Sequence, residues 1–428
     1  LDGTLFPYTT LFRSNPPYVQ LQREGGKLAD MYKDCGYDTF ERMGDIYALF
    51  YEKGLQLLKE KGNLCFITSN KWMRAGYGKS LRGFFTLHNP KLLIDCGPGI
   101  FETATVDVNI LLIQKALNQK NLQSVTLDKK AKDQDLSQYI KDKLVTLNNL
   151  NEDAWFIGSN AEQNLKQKIE KIGRPLKDWD VNIYRGVLTG LNEAFIIDTP
   201  TKEKLCKEDP KSTEIIKPIL RGRDIKRYSY EWAGLWIIAT LPALKIDIEK
   251  YPAIKKHFLD FGKDRLEQSG KILPDGSKSR KKTGNKWFET QDQICYYEEF
   301  EKEKIVFKAV GRNLTFSLLE NSKFLTAPAS FMTSKNNKYL LGFLCGAFSK
   351  YFIYNNSDKT GAGDIMLNIQ SFEKIPVPPI TSQNQFIINR IELLVDEVLK
   401  QKEVKADTTA LEAEIDQLVY FLYALTYE

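Results

Sequence analysis

Residues 43–70, MGDIYALFYEKGLQLLKEKGNLCFITSN, decide the fold class. Ile46, Phe50, Leu57 and Leu58 recur near helical spacing, which predicts an amphipathic helix with those side chains turned inward. Gly62 follows as a lysine-rich stop. Leu64-Cys65-Phe66-Ile67-Thr68 is then a short unbroken apolar run of the kind that a parallel strand buried on both faces requires. Further on, 72–87 reads as a second helix and KLLID at 91–95 as a second strand. After the turn GPGIF comes a third apolar run, VNILLIQKA at 108–116. Helices alternating with apolar strands predict an α/β sheet domain that finishes in a strand hairpin.

Just upstream of this block stands Asn15-Pro16-Pro17-Tyr18. Two consecutive prolines fix φ and remove two N–H donors, so the segment is neither helix interior nor central strand. It can hold a carboxamide and backbone carbonyls in a preset arrangement. The exocyclic amine of adenine needs such acceptors, because hydrogen bonds to both of its hydrogens steer the nitrogen lone pair toward an electrophilic methyl group. Tyr18 supplies a flat face on which an extruded base can stack. Amine alkylation by this route uses no metal and no covalent nucleophile. The plainer reading is a Pro-rich turn with a structural asparagine. Residues 1–14, LDGTLFPYTTLFRS, are rich in turn residues, although Thr10-Leu11-Phe12 could pair briefly. They resemble a translated sequencing adaptor and are expected to be a non-native tail.

The other direction brings a different composition. Residues 121–178 include a polar, lysine-rich stretch and read as a helical connector. Residues 179–380 alternate short apolar runs with polar turns and read as a second domain of mixed α/β character. In 381–428, Leu411, Ile415, Leu418, Leu422 and Leu425 recur every three to four residues, which predicts an amphipathic helical segment packed on that domain. The segment 265–286 carries seven basic and two acidic side chains among Gly, Ser, Pro and Asp, and reads as a mobile loop suited to phosphate contacts. Its candidates are Lys278, Arg280, Lys281, Lys282 and Lys286; Arg221, Arg223 and Arg227 form a second basic group. A solvated lysine-rich loop with no partner is the alternative. Trp287, Phe288, Tyr296 and Tyr297 are expected in the core, and TGAGDI at 360–365 as a surface turn.

Across all 428 residues the formal charge is +6, from 61 Lys+Arg against 55 Asp+Glu, which permits a nucleic-acid partner without requiring one. Two histidines make a histidine-rich metal site or a His-centred triad a poor expectation, so no metal is assigned. Six scattered cysteines do not form a disulfide framework. No run of eighteen apolar residues offers a membrane span, and a soluble, intracellular protein is expected.

The motifs together resemble those of the adenine-N6 DNA methyltransferases of the TaqI/Eco57I-like group, in which a catalytic domain is fused to a C-terminal target-recognition domain. Asn15-Pro16-Pro17-Tyr18 matches the catalytic motif, and Asp45-Ile46-Tyr47 with Gly62–Ile67 matches the helix and strand that follow it. Asn70-Lys71-Trp72 matches the next turn. Ile100-Phe101 with Ala104-Thr105-Val106 matches a late motif whose aromatic residue packs on the other face of the flipped base; an ordinary core phenylalanine is the alternative for Phe101. Arg185-Gly186-Val187-Leu188-Thr189-Gly190-Leu191-Asn192-Glu193-Ala194-Phe195, Ile219–Ile225 and Ile375-Pro376-Val377-Pro378 are similar to signatures of the recognition domain.

The resemblance implies the second half of a Rossmann-like methyltransferase sheet at 15–120 and a recognition domain at 179–380. It implies S-adenosyl-L-methionine as methyl donor, double-stranded DNA as partner, a monomer, and the cytoplasm of a prokaryote. The glycine-rich strand-turn and acidic residue that hold the cofactor in this group do not precede Asn15 here, so the chain is expected to be an N-terminally truncated fragment, inactive alone. The alternatives are a sequence-specific DNA-binding module without catalysis, or a restriction-modification specificity component that relies on a partner.

Overall fold

The computed structural model describes residues 9–97, 99–101, 106–127, 131, 135–148, 150–158, 160–320, 322–359 and 364–425. The chain divides into two compact units, Leu1–Lys168 and Ile169–Glu428.

The first unit is built on one six-stranded sheet. Its strands are β1 (Thr9–Ser14), β2 (Leu58–Ser69), β3 (Asn89–Gly97), β4 (Val108–Gln114), β5 (Leu122–Thr126) and β6 (Val145–Leu147). They lie in the order β1-β2-β4-β3-β5-β6. β1 and β2 pair in parallel, as do β3 and β5, while β4 is antiparallel to both of its neighbours and β6 to β5. The sheet is therefore mixed, and β1, β2, β3 and β5 all point the same way. Their carboxyl ends share one edge, the place where open α/β sheets bind ligands.

Helix α1 (Tyr47–Leu57) leads into β2 and buries Tyr47, Tyr51 and Leu55, spaced four residues apart along one face. Each such side chain contributes about 1.5–3 kcal/mol on burial. The expected inward face is thus corrected: Phe50 and Leu57 point outward, at 40% and 38% exposure. Gly54 is the reason. A Cβ there would come within 2.8 Å of Leu64 Cδ1, so the helix lies closest to β2 along the Tyr47–Tyr51–Leu55 line. β2 also begins earlier than expected, at Leu58. The pairing jumps from Thr9↔Leu58 to Leu11↔Asn63, so residues 59–62 form an irregularity, with Lys61 at φ +64°. Gly62 stands at that break, where a Cβ would sit 2.8 Å from the Lys59 carbonyl oxygen.

Thr9–Ser14, read from the sequence as part of a non-native tail in which Thr10-Leu11-Phe12 could pair briefly, is strand β1 in this structure. Phe12 sits opposite Leu64 and packs edge-on to Phe66, with ring centroids 5.8 Å apart. The rest of that tail, residues 1–8, lies outside the described residues. The stretch read as a helical connector supplies β5 and β6 to the sheet, besides helix Leu136–Lys143 and helix Asn160–Ile172. The helix expected over 72–87 is two short 3-10 turns, Asn70–Met73 and Gly76–Gly78, followed by an α-helix at Lys79–Thr86.

The second unit contains two four-stranded sheets. One runs Phe316–Leu319, Lys304–Phe307, Ser330–Ser334, Val181–Arg185, with antiparallel pairing throughout. The other runs Phe324–Leu325, Ile216–Leu220, Leu235–Ile238, Ile196–Asp198. Among the described residues five helices follow: Asn337–Cys345, Ala347–Asn356, the short Ile369–Phe372, Gln385–Glu403 and Thr409–Leu422. The C-terminal segment is two helices packed inside this unit. Gly342 faces Ile391, Val395 and Ile415, and Ile415, Val419 and Tyr423 are fully buried.

Candidate active site and nucleic-acid interface

β1 delivers Asn15-Pro16-Pro17-Tyr18 to the carboxyl edge of the sheet. Asn15 and Pro17 are exposed, Pro16 is buried and Tyr18 is half-buried. The Tyr18 hydroxyl donates to Asn15 Oδ1 at 2.8 Å and contacts the Ile67 carbonyl at 3.3 Å. The first bond fixes which end of the carboxamide faces Tyr18. Among the described residues, nothing donates to the Pro16 carbonyl.

The far side of the loop is clamped. Val19 N donates to Asp45 Oδ1 at 2.8 Å, Ile46 N to the Val19 carbonyl at 3.0 Å, and Leu21 N to the Gly44 carbonyl at 3.0 Å. Burial pushes the Asp45 carboxyl above the usual carboxylate range, against its backbone hydrogen bonds and the Lys71 cation. Burial, and then the Asp45 charge, also raise the Tyr18 phenol, which keeps its proton and remains a donor to Asn15.

Phe101 comes to the same edge from the loop after β3. Its ring centroid is 6.4 Å from that of Tyr18, with the planes at 51°. The two rings are neighbours, tilted and not parallel, so a flat base between them requires a change in that angle. Asp95, buried at the end of β3, ties this loop to the turn after β2. Its Oδ1 accepts from Asn70 Nδ2 at 2.8 Å and Gly97 N at 3.3 Å, and Arg74 lies 3.6 Å from its Oδ2. The sequence reading did not single out Asp45 as the anchor of the motif loop, or Asp95. Lone carboxylates carry no spacing signal, since their partners are 25 or 26 residues away. Ala104 and Thr105 of the Phe101 motif lie outside the described residues.

Among the described residues, the glycine turns differ in the room they leave: nothing lies within 4 Å of a Cβ built at Gly25, Gly76 or Gly97, whereas one at Gly26 would lie 2.9 Å from Arg42 Nη2 and one at Gly78 would strike the Trp72 carbonyl. Among the described residues, no His, Cys, Asp and Glu cluster could hold a metal ion, and no helix is long and apolar enough to cross a membrane.

In the second unit the basic candidates separate by environment. Arg280 is corrected as a DNA contact, because it is 4% exposed. Its guanidinium donates to the carbonyls of Leu266 (2.8 Å), Thr189 (2.8 Å), Glu289 (2.7 Å) and Trp287 (2.6 Å), and it stacks over Phe195. Burial lowers its pKa to about 10, so it stays charged at neutral pH. The segment read as a mobile loop is an ordered hairpin-like excursion: Gly270 N bonds the Arg280 carbonyl, Ser279 N the Lys271 carbonyl and Leu273 N the Ser277 carbonyl. Lys278, Lys281, Lys282 and Lys286 are exposed on it. Phe288 is in the core, and Trp287, Tyr296 and Tyr297 pack against it partly buried. Of TGAGDI, residues 360–363 lie outside the described residues.

Arg221 grips Asp224 through two side-chain bonds, Nε to Oδ2 at 3.0 Å and Nη2 to Oδ1 at 2.8 Å, while its own N–H caps the same carboxylate. Arg227 pairs with Glu412 at 2.7 Å. Arg223 is exposed, and among the described residues no carboxylate lies within ion-pair distance of it.

Comparison with known proteins follows this division. The family described as Eco57I restriction-modification methylase matches residues 14–101, and the TaqI-like C-terminal specificity domain matches residues 217–377. The chain is 24% identical over 431 residues to type II methyltransferase M.BstVI of Geobacillus stearothermophilus, covering 94% of this chain and 72% of that protein. It is 22% identical over 384 residues to type II methyltransferase M.PaeR7I of Pseudomonas aeruginosa, covering 85% and 63%. Among solved structures it is similar in fold to the type IIL restriction-modification enzyme MmeI in complex with DNA, at 12% identity and a TM-score of 0.63, over 98% of this chain and 55% of that one. The chain thus has the fused architecture of the TaqI/Eco57I type, a methylase segment followed by a target-recognition domain.

Proposed function

We propose that this chain serves a site-specific DNA adenine-N6 methyltransferase, with Asn15–Tyr18 and Phe101 receiving an extruded adenine and the second unit recognising duplex DNA. One observation carries the reading. The Tyr18 hydroxyl orients Asn15 Oδ1 just past the carboxyl end of β1, the Pro16 carbonyl follows it in the chain, and the Tyr18 and Phe101 rings lie 6.4 Å apart. Two acceptors on one amine hold both its hydrogens and turn its lone pair outward, while aromatic faces hold the base. The six-stranded sheet corresponds in this reading to the later half of a Rossmann-like methyltransferase sheet. Its support is the mixed order, with β1 as end strand and Leu11 57% exposed on it. S-adenosylmethionine is the methyl donor of the whole protein, and the prokaryotic cytoplasm its setting.

The test is mass-spectrometric analysis of mixed-sequence DNA after incubation with the chain and S-adenosylmethionine, beside calorimetry with the cofactor alone. N6-methyladenine made by the wild type and lost in Asn15→Ala supports the reading; methylation of cytosine in its place contradicts it. The 51° tilt between the Tyr18 and Phe101 rings, which leaves no parallel slot for a base, favours a second reading, a DNA-recognition module without transfer. Duplex binding without cofactor binding would select it.

A further inference from the structure

Two signatures of the recognition half, Arg185–Phe195 and Ile219–Ile225, meet in space. A groove of about 600 Å³ is lined by Asn192 from the first, Arg221 and Arg223 from the second, and Lys308, Arg312 and Asn313 from a third segment. Four of its lining residues are cationic and none is acidic. The Lys308 side chain passes close to Gly222, where a Cβ would lie 3.8 Å from Lys308 Cγ. Among the described residues, Lys308, like Arg223, has no carboxylate within ion-pair distance. Arg312 is 83% exposed, with Asp364 only loosely beside it at 3.8 Å. The floor is more rigid. Arg221 is locked by Asp224, and Asn192 Oδ1 accepts from Thr189 Oγ1 at 2.6 Å, while among the described residues nothing accepts from Asn192 Nδ2.

We propose that this groove seats the phosphate backbone of duplex DNA, with Arg223, Lys308 and Arg312 as the phosphate contacts. Three cations in a groove whose own lining holds no acidic residue focus a positive potential, and long, loosely held side chains suit phosphates, which position a duplex without reading it. Lys308 and Arg312 are 85 and 89 residues from Arg223 in sequence, and only the folded unit assembles them. The proposal rests on the DNA-recognition reading above and assigns a surface to it.

Fluorescence anisotropy of a labelled mixed-sequence duplex, titrated with the whole chain at several salt concentrations, tests it. Each phosphate contact adds about 0.9 to the slope of log affinity against log salt. The variant Arg223→Gln/Lys308→Gln/Arg312→Gln is expected to lower that slope by about 2.7 with an unchanged melting temperature. If that variant does not fold, Arg223→Gln/Arg312→Gln, both exposed positions, is expected to lower it by about 1.8. A wild-type slope retained in the folded variants overturns the groove and leaves the DNA reading standing. No salt-dependent binding by the wild type overturns both.

Discussion

Replacing Arg280 by alanine separates a structural arginine from a DNA-binding one. In the folded chain its guanidinium satisfies four carbonyl oxygens at 2.6–2.8 Å, from the segments around Thr189, Leu266, Trp287 and Glu289. Truncation leaves these acceptors without their donor in a site that is 4% exposed. One unsatisfied buried acceptor costs about 1–3 kcal/mol, and breaking a buried charged network about 3–5 kcal/mol. The costs do not add fully, because water can enter the space left by the side chain, so a loss of about 4 kcal/mol is expected. For a unit of this size that is a fall in melting temperature on the order of 10 °C. Arg280→Lys, with one ammonium in place of a planar fork, should recover only part of it. Thermal unfolding followed by circular dichroism measures the loss, and anisotropy well below the transition measures duplex affinity, expected to change less than twofold. A variant that melts like the wild type but loses DNA binding would refute the reasoning.

Other perturbations follow from the same contacts. The Asp45 carboxyl has a folded pKa above its unfolded value, so its stabilising influence is present at low pH and is lost as pH rises from about 4 through the raised value. Asp45→Asn should flatten that part of a stability–pH profile measured by urea unfolding, and an unchanged profile would contradict it. Lys304, fully buried with Nζ on the Phe300 and Lys302 carbonyls, is lowered by burial to about 8. The unfolded chain then binds more protons between about 8 and 10.4, so stability should rise across that window in the wild type and not in Lys304→Met. Tyr18→Phe removes the donor to Asn15 while keeping the ring, and should cost about 1 kcal/mol in unfolding free energy. Gly342→Ala places a Cβ 2.9 Å from Ile391 Cγ2 and 3.0 Å from Val395 Cγ2; overpacking of about 1–3 kcal/mol should outweigh the gain of about 1 kcal/mol in helix propensity, read as a lower melting temperature.

What could be read in the chain was what is local. Pro16-Pro17 restricts its own backbone whatever surrounds it, and the Leu64–Thr68 run forms a strand of the sheet, with Leu64, Phe66 and Thr68 buried and Cys65 and Ile67 half-buried. The inward face of α1 was misread because it depends on Gly54 meeting Leu64, a contact between elements. β1 was obscured for a related reason: Thr9–Ser14 has turn-rich neighbours, and its pairing is set by β2, some fifty residues later. In the basic stretch 278–286 the residues look alike as a string. Only packing distinguishes Arg280, pinned on four carbonyls, from the exposed Lys281 and Lys282 beside it. Lys308 and Arg312 carry no signal at all until three distant segments close one groove.

The central claim is that the Asn15–Tyr18 loop and Phe101 receive adenine. Duplexes carrying one unpaired adenine, against the same duplexes with an unpaired cytosine or thymine, test it without knowledge of the recognised sequence, since an unpaired base needs little energy to leave the stack. Their affinities for the chain are compared by anisotropy at low salt. The adenine duplex is expected to bind more tightly, a preference abolished by Asn15→Ala and weakened by Phe101→Ala, with binding of the fully paired duplex unchanged. Equal binding of all three duplexes by the wild type, or an adenine preference untouched in Asn15→Ala, would contradict it.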